Sequence, residues 1–118
     1  MTTFQVKFTD EALNDLLQIV EYIESELLLP KKAVEKKKII LDNASSLSIF
    51  PERGKLISQQ HNLRFIRTPN DRYLILYQVL KDTQIVAITN ILYGSPERLE
   101  RYAAVSYTHL TLPTMAVV

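Results

Sequence analysis

The chain has 118 residues, no cysteine and a net charge of +1. That length fits one domain, and the missing thiols exclude disulfides and thiolate catalysis. No apolar run approaches the roughly 20 residues of a membrane helix, and Met1–Gln5 lacks the basic start and apolar core of a signal peptide, so a cytoplasmic protein with no membrane partner is expected.

Phe4-Gln5-Val6-Lys7-Phe8 alternates apolar and polar residues and predicts a half-buried first strand. Thr9 is a good N-cap for a following helix, with Asp10 and Glu11 in its first turn, where the helix dipole favours them. Leu13, Leu16, Leu17, Val20, Ile23 and Leu27 recur at helical spacing and predict one buried stripe. Pro30 suits the first turn of a second helix, lined by Ala33, Val34, Ile40, Leu41, Ala44 and Leu47. The lysines at 31, 32, 36, 37 and 38 read as its solvated side. The short join Leu28-Leu29-Pro30 makes the pair an antiparallel hairpin.

Pro51 stops the second helix, Gly54 permits a turn, and residues 55–62 read as a loop. Leu63–Thr68 predicts a strand, Pro69-Asn70-Asp71 a turn, Tyr73–Leu80 a second strand, Lys81-Asp82-Thr83 a turn and Gln84–Tyr93 a third. The last two strands are almost wholly apolar, so both should be central and covered on much of both faces. Ser95 would cap a short helix over Pro96–Ala103. The fold class is therefore α+β: an N-terminal strand, an antiparallel helical hairpin, a three-stranded antiparallel meander and a short C-terminal helix. The helices should cover one sheet face.

The charge is unevenly placed. Asp10, Glu11, Asp15, Glu21, Glu24 and Glu26 make the first helix acidic, whereas Arg53, Lys55, Arg64, Arg67, Arg72, Lys81, Arg98 and Arg101 face only four acids between positions 53 and 101. A basic sheet face attracts nucleic acid or an acidic partner segment. The chain has no glycine-rich phosphate loop, no metal-ligand spacing and no nucleophile elbow, so no cofactor and no metal are expected. His61 stands alone in the expected loop. What remains for chemistry is arginine and tyrosine. RNA can be cut without metal when cations stabilise the phosphorane charge and a side chain moves the 2′-hydroxyl proton. The candidates for binding a partner are Arg64, Arg67, Tyr73, Tyr93 and Arg98. Side chains alternate along a strand, so Arg64 and Arg67 point to opposite faces, and Tyr73 and Tyr77 share one face with Ile75 and Val79, as core residues would.

Four segments in order, Phe50-Pro51-Glu52-Arg53-Gly54-Lys55, Leu63-Arg64-Phe65-Ile66-Arg67, Tyr73-Leu74-Ile75-Leu76-Tyr77 and Leu92-Tyr93-Gly94, resemble the RelE/ParE superfamily of bacterial toxins from type II toxin–antitoxin modules. The resemblance spans about residues 4–104 and implies a toxin domain over residues 1–104. It implies a small antitoxin partner, a toxin–antitoxin hetero-oligomer, and either DNA gyrase or the ribosome as target. The ribonucleases of this group carry an arginine just after the first tyrosine of the Tyr-x-x-x-Tyr strand, where this chain has Leu74. They carry a basic pair after the glycine that ends the last strand, where it has Ser95 and Pro96. Tyr102 matches the tyrosine of their final helix, and the resemblance leaves the catalytic residues unknown, with Arg64, Tyr77, Arg98 and Tyr102 as candidates. The ParE-like branch, which acts on gyrase by binding and not by chemistry, therefore fits better. The alternatives are a RelE-like, ribosome-dependent messenger-RNA endonuclease and a non-toxic relic that still holds an antitoxin. Residues 105–118 resemble one reading frame of an adapter used in DNA-library preparation and are expected to be a non-native tail.

Overall fold

The computed structural model describes residues 3–69, 72–94 and 115–116. Strand β1 (Gln5–Thr9) leads into helix α1 (Asp10–Glu21), which runs on as a π turn at Tyr22–Glu26. Helix α2 (Pro30–Ser45) returns antiparallel and is followed by 3-10 turns at Ser46–Ser48 and Pro51–Arg53. Then come β2 (Lys55–Ser58), β3 (Leu63–Arg67), β4 (Tyr73–Leu80) and β5 (Ile85–Tyr93), with a two-residue β6 (Met115–Ala116). The sheet order is β2-β3-β4-β5-β1-β6.

The expected meander is β3-β4-β5, antiparallel throughout and central in the sheet. Residues 55–62 differ from expectation. Lys55–Ser58 are a strand, paired antiparallel with β3 through Lys55↔Phe65 and Leu56↔Arg64. Four residues without a strong alternation carry little signal of their own, and the partner strand supplies the structure. β1 lies parallel to β5, from Gln5↔Ile85 to Phe8↔Ile88. The helix expected over Pro96–Ala103 lies outside the described residues. Of the tail from Val105 onward only Met115–Ala116 is described, antiparallel to the end of β1.

Thr9 joins strand to helix. Its Oγ1 accepts the Ala12 amide at 3.2 Å, as an N-cap should, and donates to the Thr89 carbonyl of β5 at 3.2 Å. Pro30 stands in the first turn of α2, where its missing N–H is not needed. The main core lies between the hairpin and one sheet face. Phe8, Leu16, Ile40, Leu47, Tyr73, Ile75, Tyr77, Val79 and Ile88 meet there. The expected helix stripes are narrower than predicted. Leu16 and Ile23 are buried, but Leu17 and Leu27 are exposed, and Val34 on α2 is 70% exposed. The second sheet face has its own apolar cluster: Leu74 and Leu76, 1% and 0% exposed, with Ile57, Phe65 and Leu92 packed against them. β4 is thus buried on both faces, which explains its unbroken apolar run.

Candidate functional site

Two sites emerge, and each begins at a place where regular pairing runs out. The first is the turn between α2 and β2. Tyr77, wholly buried on the hairpin side of β4, reaches this turn with its hydroxyl. It donates to the Pro51 carbonyl at 2.6 Å and accepts the Gly54 amide at 3.0 Å. Burial pushes this phenol above its ordinary value. Gly54 is needed here for closeness, not for φ. A Cβ would collide with the Tyr77 hydroxyl and sit 2.7 Å from the Phe65 carbonyl oxygen.

Arg64 stands opposite Tyr77 on β3 and closes the same turn from the other side. Its Nη1 donates to the carbonyls of Glu52 and Gly54 at 2.9 and 3.0 Å, and its Nε donates to Asn62 Oδ1 at 2.9 Å. The Glu52 carboxylate lies 3.4 Å from Arg64 Nη2 and 3.1 Å from Lys81 Nζ. The Lys81 hydrogen bond leads in holding the Glu52 carboxyl below its usual range. Arg53 folds back to the end of α2, donating to the carbonyls of Ser46 and Ile49 at 2.9 and 3.1 Å and to the Ser46 hydroxyl. The structure therefore brings Arg64 and Tyr77 together as a clamp on one turn. Tyr77 exposes no surface, and the Arg64 guanidinium is spent largely on backbone carbonyls.

The second site is a groove of about 890 Å³ between the hairpin and the ends of β4 and β5. Ile19, Tyr22 and Leu29 line it from the helical side, and Tyr73, Ile91 and Tyr93 line it from the sheet. Tyr73 and Tyr93 pack edge to face, centroids 5.3 Å apart at 66°, with Tyr73 buried and Tyr93 exposed. Lys32 and Lys36 of α2 stand on the rim. Asp15 stands at one end, and its position has a clear cause. β1 pairs with β5 only as far as Ile88. Thr89 is then an extra residue in β5, since Leu76 pairs Asn90 whereas Tyr77 pairs Ile88. Beyond it, Asp15 Oδ2 accepts both the Ile91 amide at 3.0 Å and Asn90 Nδ2 at 3.1 Å. A side chain from α1 replaces the missing strand. Burial raises the Asp15 pKa above its ordinary value despite the lowering effect of these two hydrogen bonds.

The groove unites two of the expected binding residues, Tyr73 and Tyr93. Arg67 is exposed on the opposite sheet face, across from Leu74. Arg98 and Tyr102 lie outside the described residues. Sequence reasoning missed Tyr22, Leu29, Lys32, Lys36 and Asp15 as lining residues. The available signal was Leu27-Leu28-Leu29, an apolar run extending past the end of a helical stripe. Among the described residues no three His, Asp or Glu side chains converge as a metal ion would require, and no helix is long and apolar enough to cross a membrane.

Comparison with known proteins agrees with this architecture. No curated protein is a match in sequence. Among solved structures, the chain resembles the chromosomal ParDE TA system from P. aeruginosa, with TM-score 0.68 and 19% identity over 80% of this chain and 100% of that one. It resembles the toxin–antitoxin complex RelBE2 from Mycobacterium tuberculosis with TM-score 0.57 and 22% identity, covering 80% of this chain and 94% of that one. A free mutant of E. coli toxin RelE with two arginines replaced by alanine aligns with TM-score 0.63 and 11% identity, covering 92% and 99%. At these identities the likeness is one of fold. The model of the ParE toxin of the type II toxin–antitoxin system parDE matches residues 6–97. That span takes in the hairpin, the clamped turn and the groove, and the chain belongs to this ParE toxin family.

Proposed function

We propose that this toxin acts by binding a target such as DNA gyrase, without cutting RNA, and that a small cognate antitoxin neutralises it from the groove. The observation that carries the target reading is Leu74. It is 1% exposed and uncharged, at the position where the resembling ribonucleases carry arginine. A phosphorane needs cations aimed at its developing charge. Ser95 and Pro96 replace the other basic pair in the sequence. Losing such donors costs a factor of about a hundred or more each.

The antitoxin reading draws on the groove. Its apolar walls and lysine rim suit an acidic amphipathic segment that orders on contact. The similar structures include assemblies described as a ParDE system and a RelBE2 complex. The resulting particle is a toxin–antitoxin hetero-oligomer. The test is to add purified protein to gyrase and, separately, to translating ribosomes. Inhibited supercoiling or gyrase-dependent DNA breaks with intact messenger RNA is the expected result. Cleaved ribosome-bound transcripts would overturn the binding reading and identify a nuclease. Inertness in both assays, with a complex still formed by the product of the adjacent gene, would identify an antitoxin-holding relic.

A further inference from the structure

The turn after α2 holds a conformation that core packing does not explain. Phe50 has φ 51° and ψ 57°, a left-handed backbone that bulky L-residues rarely adopt. Its side chain is 67% exposed, so the conformation does not serve to bury the ring. The backbone there is held at three successive carbonyls. Ile49 O accepts from Arg53 Nη1 at 3.1 Å, Phe50 O from the Arg53 amide at 3.1 Å, and Pro51 O from the Tyr77 hydroxyl at 2.6 Å. A rigid turn thus presents an aromatic ring to solvent, and strain of this kind gathers at functional places. Ile49 before it and Leu56 after it are exposed as well. The charge of the neighbouring segment is positive: Lys81 offsets Glu52, which leaves Arg53 and Lys55.

The other end of the hairpin carries the complementary surface. Where α1 passes into its π turn, a shallow depression is lined by Leu17, Val20 and Tyr22 together with Glu21, Glu24 and Glu26. Leu17 and Tyr22 are more than half exposed, 54% and 56%. The 16 residues of α2 separate the two surfaces by about 24 Å. Ring and depression therefore cannot meet within one molecule. We propose that the Phe50 turn of one copy seats in the acidic, apolar depression of a second copy, so that the free toxin self-associates head to tail. The aromatic ring enters against Leu17 and Tyr22, and the carboxylates of Glu21, Glu24 and Glu26 face Arg53 and Lys55. The contact joins two different patches, so each pair keeps one of each free and either grows or closes into a ring.

Sedimentation velocity of the full chain over a micromolar concentration series tests this. The expected result is concentration-dependent growth that added salt weakens. Phe50→Gly should stay monomeric and melt no lower than the parent, because glycine adopts positive φ freely. The double variant Glu21→Lys, Glu24→Lys should also stay monomeric. Mixing the two variants should give a dimer that grows no further, since one retains the depression and the other the ring. A parent chain that is monomeric throughout overturns the proposal. So does a Phe50→Gly protein that still associates, association indifferent to salt, or a variant mixture that stays monomeric.

Discussion

Removing one oxygen atom, by Tyr77→Phe, should destabilise this fold more than most core truncations of similar size. The ring keeps its place among Phe8, Ile75 and Val79, so no cavity opens. What is lost is the hydroxyl that accepts the Gly54 amide at 3.0 Å and donates to the Pro51 carbonyl at 2.6 Å. Both partners belong to buried residues, and each is left without that bond. An unsatisfied buried backbone group costs about 1–3 kcal/mol, so the pair gives about 2–6 kcal/mol. For a domain of this size that is a fall in melting temperature of about 8–24 °C. Thermal unfolding followed by far-ultraviolet circular dichroism measures it. Gly54→Ala should be at least as damaging, because its new methyl group enters the space of the same hydroxyl. In the double variant, Tyr77→Phe with Gly54→Ala, the removed oxygen relieves the methyl's clash with the hydroxyl but not that with the Phe65 carbonyl, so the two losses should be less than additive without cancelling. A Tyr77→Phe protein melting within about 2 °C of the parent would refute the reasoning. It would mean that water reaches both groups or that the turn is not held by this contact.

Asp15 should give a pH signature. Its folded pKa is raised, so between the ordinary carboxylate value and the raised one the folded state keeps a proton that the unfolded chain has released. Stability contributed by this group therefore falls as pH rises through that window and is level above it. Asp15→Asn should flatten the slope, since one amide oxygen can accept both bonds now made to Oδ2. Asp15→Ala should cost about 1–2 kcal/mol in denaturant melts, by leaving the Ile91 amide unsatisfied. Leu76→Asp should abolish folding: Leu76 is 0% exposed in the second apolar cluster, and a buried unpaired carboxylate costs several kcal/mol, on the order of the whole stability. A soluble, cooperatively melting variant would contradict the burial of that face. Thr9→Ala should cost about 1–2 kcal/mol, through the lost cap and the lost bond to Thr89, whereas Thr9→Ser should stay close to the parent.

Local order was written in local residues. Thr9 announces the cap, Pro30 the second helix, and the apolar runs of β4 and β5 their burial on both faces, because each signal is a property of a few adjacent side chains. The relation of Arg64 and Tyr77 to the Pro51 turn was not legible. Tyr77 lies 26 residues from its Pro51 acceptor, and no periodicity encodes which carbonyl an arginine will find. The same holds for β2, a strand only because β3 offers it a ladder, and for Asp15, whose value depends on where β1 happens to end beside β5. The sequence stripes also overstated burial. Leu17, Leu27 and Val34 sit at helical spacing, yet the sheet covers only part of each helix. By itself the sequence determined the first strand, the helical hairpin, the β3-β4-β5 meander and the family, since hydrophobic period and turn chemistry act at short range. Only the tertiary structure decided which apolar residues stay in solvent and which polar groups are already spent, because both depend on what arrives from distant parts of the chain.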